Sequence, residues 1–94
     1  MAAFPIFVVD EDAAEVIRFD NDREMQWMEA VDVEDGVYAA FDGLGRPIGL
    51  KIVEVRRRFL GLIPKIVQEI VPGEILGQAD EQRAKELMGR AQKF

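Results

Sequence analysis

The stretch VYAAFDGLGRPIGLKIVEV, residues 37–55, decides how this chain folds. Two apolar segments, 37–41 and 48–55, flank an acidic connection that contains glycine. Apolar side chains recur at Ile48, Leu50 and Ile52, and a period of two is typical of a strand. Glycine adopts the positive φ angles that tight connections require, so the stretch predicts a β-hairpin.

Acidic turn signals divide the residues before this hairpin at intervals of about ten, a spacing typical of short consecutive strands. Asp and Asn favour turns because their side chains bond nearby backbone groups. The segments between these signals predict three more strands, over residues 4–9, 15–19 and 25–31. A helix is the alternative for the third segment, because Met25 and Met28 also fit a helical stripe.

The apolar pattern changes its period after the strand at 48–55. Apolar residues recur at helical spacing over residues 63–71, and Pro72-Gly73 suits the end of such a helix. The many β-branched side chains there leave a strand as the alternative. A second helix is predicted after Asp80, a good N-cap residue, with an apolar stripe formed by Ala84, Leu87, Met88 and Ala91.

These elements predict one α+β domain over residues 1–94. We expect a four- or five-stranded antiparallel β-meander followed by one or two C-terminal helices. The helices should cover one face of the sheet, because its apolar side chains must be shielded from water. An exposed edge strand at 4–9 or 48–55 is expected to pair across a dimer.

The chain contains no serine, threonine, cysteine or histidine. Nucleophilic catalysis generally uses Ser, Thr or Cys activated by a base, most often His. Structural and catalytic zinc sites use Cys and His. The composition therefore predicts a protein that is not an enzyme and that uses no cofactor and no bound metal. The lack of cysteine also removes the usual mark of a small secreted domain, so we expect a protein of the cytoplasm.

The formal net charge is −6. This charge disfavours nucleic acid, since affinity for phosphates comes largely from Lys and Arg. No apolar run approaches the ~20 residues that a membrane-spanning helix needs. The first residues also lack the basic segment of a signal peptide. We therefore expect neither a nucleic-acid partner nor a membrane partner.

The run Arg56-Arg57-Arg58 is a candidate binding site for a phosphate or an acidic partner. The preferred alternative is that these arginines flank the end of a strand and pair with the surplus acidic residues.

Asp20 and Asp22 place oxygens at alternate positions, as the start of a calcium-binding loop does. Such a loop then needs Gly and a later Glu, but Met25 and Val31 occupy those positions. A polar hairpin turn is therefore the preferred interpretation of this segment.

The turn carboxylates offer two further functional alternatives. Paired carboxylates can bind a divalent metal ion or catalyse the hydrolysis of a glycosidic bond. A small-ligand or metal-binding module would show a concave pocket with convergent Asp or Arg groups. A carboxylate-based enzyme would bring together at least two of Asp10, Asp12, Asp20, Asp32, Asp35 and Asp42.

Two segments resemble the small YuzE-like bacterial proteins of unknown function. Residues 10–19, DEDAAEVIRF, are similar to the opening of that family, and residues 36–52 resemble its later strand pair around an acidic-Gly-Arg turn. The resemblance covers residues from about 8 to 56, and residues 59–94 have no counterpart in it. It implies a curled antiparallel sheet and carries no functional residue to this chain.

The missing catalytic residue types, the acidity and the small size together predict function by contact. We expect a small non-enzymatic protein that acts by protein–protein contact, as a homo-oligomer. An acidic inhibitor of the antitoxin or immunity type is one concrete form of this prediction.

Overall fold

A computed structural model describes residues 2–11, 14–26, 38–58 and 64–93 of the chain. The elements in chain order are β1 (Ile6–Asp10), β2 (Glu15–Phe19), α1 (Asp22–Met25), β3 (Tyr38–Phe41), β4 (Pro47–Arg58), β5 (Pro64–Ile75), α2 (Glu81–Arg90) and β6 (Gln92–Lys93). The strands form one sheet in the order β5-β4-β3-β1-β2-β6. The fold is therefore α+β, as the sequence predicts.

The sheet is mixed and has six described strands, so the prediction of a four- or five-stranded antiparallel meander is wrong. Strands β1 to β5 pair antiparallel, whereas the short β6 lies parallel to β2. Strand β6 has only two residues, which are too few to show a periodic pattern, so the sequence does not predict it. The expected edge at 4–9 is also wrong, because β1 lies between β3 and β2 in the middle of the sheet.

The hairpin predicted from residues 37–55 is confirmed over its described part. Phe41 pairs with Pro47, and Ala40 pairs with Ile48. Strand β4 continues to Arg58, beyond the predicted end of this strand at Val55, and it pairs with β5.

Residues 64–75 form strand β5, so the helix predicted at 63–71 is wrong and its strand alternative holds. Pro72 lies opposite Leu50 and Ile66 lies opposite Arg56, in an unbroken register between them. The stiff β-branched side chains of this segment fit an extended backbone. We call the paired β4 and β5 the ribbon. Strands of 12 residues span about 40 Å.

Both faces of the sheet carry a hydrophobic core. On one face, Ile6 of β1 packs in a cluster with Met25 of α1 and Ile70 of β5. On the other face, Phe7 of β1 packs with Leu87 of α2. Successive side chains of a strand point to opposite faces, so the central strand β1 is buried on both. The two described helices consequently lie on opposite faces of the sheet, so the expectation that the helices cover one face is wrong.

The two helices begin at side-chain caps. Asp80 accepts a hydrogen bond of 3.0 Å from the N–H of Arg83, which confirms the predicted N-cap of α2. Asn21 accepts one of 3.0 Å from the N–H of Glu24 and caps α1. The segment around Asn21 thus begins a helix rather than the expected hairpin turn. The third predicted strand is wrong at its first residue, which lies in α1, and residues 27–31 lie outside the described residues.

Candidate functional site

Asp42, the first residue of the hairpin connection, is fully buried. Its carboxylate accepts hydrogen bonds from the backbone N–H groups of Ala3, Leu44 and Arg46, at 3.2, 3.0 and 2.9 Å. The guanidinium of Arg46 also places Nε and Nη2 at 2.7 Å from Oδ2 of this carboxylate. A buried charge is tolerated when it is both paired and hydrogen-bonded, and Asp42 meets both conditions.

Burial on its own raises the pKa of Asp42, because it disfavours the charged form. The side-chain hydrogen bond from Arg46 and the backbone N–H groups of Arg46, Ala3 and Leu44 outweigh burial and hold the pKa below its usual value. The acid is therefore ionised at neutral pH, with both oxygens engaged. Such a carboxylate offers no base or nucleophile to a substrate, and it stabilises the connection instead.

The connection over residues 42–46 also ties together two distant segments of the chain. Gly43 donates a hydrogen bond of 2.6 Å to the carbonyl oxygen of Ala3. Asp80, the cap of α2, donates one of 2.9 Å to the carbonyl oxygen of Leu44. Gly45 has a φ of +77°, and a Cβ there would collide with the carbonyl oxygen of Asp80. The connection is therefore a packed junction, which we call the Asp42 junction.

The arginine run predicted as a binding site lies at the far end of β4. Arg56 is exposed and lies opposite Ile66 in the register. Arg57 and Arg58 continue the strand, and their side chains lie outside the described ones.

Asp20 and Asp22, the other predicted binding residues, have separate structural roles. The carboxylate of Asp20 lies 3.0 Å from Nε of Arg18 and 3.7 Å from Nζ of Lys93. Asp22 is exposed in the first turn of α1, where the helix dipole favours an acidic side chain. Among the described residues, no group of three or more acidic side chains is placed to hold a metal ion.

The described turn carboxylates are divided between the two ends of the central strands. Asp10 ends β1 opposite Glu15. Asp20 and Asp42 follow β2 and β3 at the other end of these strands. The remaining candidates, Asp12, Asp32 and Asp35, lie outside the described residues.

One cleft, of about 280 Å³, brings two arginines of α2 together beside Phe41. The guanidinium of Arg83 lies 5.1 Å from the centre of the Phe41 ring, a cation–π contact. Arg90 pairs with Glu86 at 3.7 Å, and Glu86 also lines the cleft. Both cations have partners and an acid lies beside them, which disfavours an anionic ligand here.

A second cleft, of about 360 Å³, opens where β3 and β4 diverge beyond their short pairing. Its lining residues are Tyr38, Ala39, Ala40, Phe41, Pro47, Ile48, Gly49, Leu50 and Leu76. This apolar lining lacks the convergent Asp or Arg groups that we expect of a ligand pocket in this chain.

The ribbon presents apolar side chains outside both core clusters. We call the half-buried set on one face of the ribbon the valine face, formed by Val53, Val55, Val67 and Val71. On the opposite face, Ile66 is 65% exposed. Because residues 63–71 are predicted to form a helix, the sequence does not predict this surface. The alternation of Val53 and Val55 with charged residues is the one signal that indicates it.

Comparison with protein-family models, with curated proteins and with solved structures found no significant match. The resemblance to YuzE-like proteins therefore stays a prediction. Within the described part of the chain, no helix is both long enough and apolar enough to cross a membrane.

Proposed function

We propose that this chain is a non-enzymatic protein that acts by protein–protein contact, with the ribbon as its contact surface. The supporting observation is the valine face together with exposed Ile66, since these side chains belong to neither core cluster of the described residues. Removing such side chains from water is the main favourable term in most protein association. A partner that covers the ribbon would therefore gain this term.

The absence of four residue types that are common in catalysis supports the non-enzymatic part of the proposal. The sequence has no Ser, Thr, Cys or His, and Asp42, a fully buried acid, is committed to Arg46. The absence of cysteine also accords with a reducing compartment, so the proposal places the protein in the cytoplasm.

A second copy of the chain is the partner that the charges favour. The whole chain carries a net charge of −6, and two copies repel each other at long range. The facing ribbon segments 50–56 and 66–72 contain Lys51 and Arg56 against Glu54 and Glu69, so their charges cancel. The central part of the ribbon, segments 50–56 and 66–72, is thus neutral on an acidic protein, and two copies that meet there repel each other least.

Light scattering across a dilution series tests the proposal. We expect the mass of the natural chain to rise with concentration toward that of a homo-oligomer. Ile66→Gln should weaken association at least tenfold, because burial of an isoleucine contributes about 1.5–3 kcal/mol and about 1.4 kcal/mol corresponds to a factor of ten.

Leu44→Gln is the matched control, because Leu44 is 49% exposed and lies outside the ribbon. It should leave association unchanged. A monomer at every concentration would contradict the proposal, and so would equal weakening by the two substitutions.

A further inference from the structure

The structure describes two of the four methionines of the chain, and their environments are opposite. Met25 is fully buried in a core cluster, whereas Met88 of α2 is 45% exposed. The sequence predicts Met88 in the apolar stripe of α2, but Leu87 is the residue of this helix that the structure buries. An oxidant in solution therefore reaches Met88 directly, and it reaches Met25 only when the chain opens locally.

A guanidinium lies against the sulfur of Met88. Nη1 of Arg18, on β2, donates a hydrogen bond of 3.4 Å to Sδ of Met88. Nε of Arg18 lies 3.0 Å from Oδ1 of Asp20, and Nζ of Lys93 lies 3.7 Å from the other oxygen of the same carboxylate. Asp20 thus holds Arg18 beside the sulfur, at the point where α2, β2 and β6 meet.

The contact between Arg18 and Met88 joins a strong donor to a weak acceptor. A guanidinium is always charged, and its N–H groups match oxygen acceptors such as carboxylates. A thioether sulfur accepts hydrogen bonds only weakly. Oxidation to the sulfoxide makes the side chain polar, and hydrogen bonds from an ionised donor are about twice as strong as neutral ones. The group beside Met88 therefore favours the oxidised form of its side chain.

We propose that Met88 is a site of oxidative modification by hydrogen peroxide, and that Arg18 binds the sulfoxide formed there. A lone pair of Sδ attacks one oxygen of the peroxide, and the O–O bond breaks. The hydroxide that leaves takes the proton of the transferred oxygen and becomes water. The sulfur is oxidised by two electrons and the peroxide is reduced by two, so no further reactant is needed.

The surface position of Met88 determines what oxidation does to the fold. A sulfoxide in a core is destabilising, because it buries a polar group among apolar ones. Met88 belongs to neither core cluster of the described residues, and Leu87 makes the buried contact of α2 instead. The unbranched side chain of methionine has three rotatable bonds, which let the added oxygen face Arg18 while it remains accessible to water. Oxidation therefore fastens α2 to β2 rather than releasing it.

Treatment of the folded natural chain with hydrogen peroxide, followed by mass spectrometry of its peptides, tests the site. We expect Met88 to be oxidised about tenfold faster than Met25 or more, because a buried side chain reacts only through local opening. Met25 is the matched control, and the two rates should become equal in urea. Equal rates in the folded chain would overturn Met88 as the site.

The urea midpoint before and after the same treatment tests binding of the sulfoxide by Arg18. The reaction is stopped while Met25 is still unmodified, and Met88→Leu treated in parallel gives the contribution of the remaining methionines. Relative to this control, oxidation should raise the midpoint of the natural chain and lower that of Arg18→Leu, whose sulfoxide lacks a cationic donor. Each chain is compared with its own reduced form, so any stability that Arg18→Leu loses by itself cancels. A midpoint that falls in the natural chain, or that shifts equally in both chains, contradicts binding by Arg18.

Discussion

The Asp42 junction and the ribbon differ in how fully their polar and apolar groups are covered by the rest of the chain. At the junction, the carboxylate of Asp42 is fully buried and has partners from Ala3, Leu44 and Arg46. The ribbon leaves the valine face half-buried, Ile66 exposed and the outer edge of β5 without a described partner strand. The junction is complete within one chain, whereas the proposed function assigns the ribbon to contact with another chain.

This difference separates a structural role from a functional one. A charged group enclosed by hydrogen bonds is costly to disturb and offers nothing to a partner. Apolar side chains that remain in contact with water stabilise any complex that covers them. We therefore expect substitutions at the junction to lower the free energy of unfolding, and substitutions on the ribbon to change association instead.

The largest expected effect follows removal of the buried acid. Asp42→Ala leaves the guanidinium of Arg46 without its carboxylate partner and three backbone N–H groups without their acceptor. Breaking one side of a buried pair costs about 3–5 kcal/mol. Denaturant unfolding followed by circular dichroism should show a loss of this size.

Glu54→Ala on the ribbon is the matched change, because Glu54 is exposed. Surface substitutions away from special features stay within about 0.5 kcal/mol, and we expect the same here. Equal losses in the two variants would remove the distinction between junction and ribbon.

A smaller effect is expected from a methyl group added to two glycines. Gly45→Ala forces a side chain into a φ of +77° and against the carbonyl oxygen of Asp80, so we expect a loss of about 1–3 kcal/mol. At Gly49 of the ribbon, an added Cβ would lie 3.9 Å from the carbonyl oxygen of Glu74, an ordinary contact. Gly49→Ala should leave the free energy of unfolding unchanged or raise it by up to about 1 kcal/mol, because alanine restricts the unfolded chain. Two losses of similar size would contradict this comparison.

The sequence predicted the elements whose signals are local. The hairpin before Ile48 and the N-cap at Asp80 are both confirmed, because turn residues and caps act within a few positions. Strand β5 was assigned to a helix, since apolar residues at 63–71 fit both periods and only pairing with β4 decides between them. The parallel pairing of β6 likewise depends on a contact distant in the sequence.

The candidate site was less predictable than the fold. Asp42 was recognised as a turn acid, but its burial depends on Ala3, 39 residues away in the chain. The predicted binding residue Asp20 instead pairs with the nearby Arg18. Charge patterns indicate which residues are able to bind, whereas burial and pairing decide which of them remain available.

The smallest expected effect is a dependence of the free energy of unfolding on acid pH, which the protonation of Asp42 causes at the junction and not on the ribbon. The hydrogen bonds at the junction hold the pKa of Asp42 below the 3.8 of an unperturbed Asp. The unfolded chain therefore binds a proton here more readily than the folded chain does, and acid favours unfolding. The stability from this group is fully present above its unfolded pKa and is lost as the pH falls toward its folded pKa.

Asp42→Asn removes this titration. The free energy of unfolding of the natural chain should therefore exceed that of Asp42→Asn most at neutral pH, and the difference should narrow below about pH 4. The effect is smaller than that of Asp42→Ala because the amide keeps an acceptor for the surrounding N–H groups. Urea unfolding of both chains between pH 7 and pH 2 measures the difference, and a gap that stays constant over this range would show that the carboxylate charge contributes nothing to the junction.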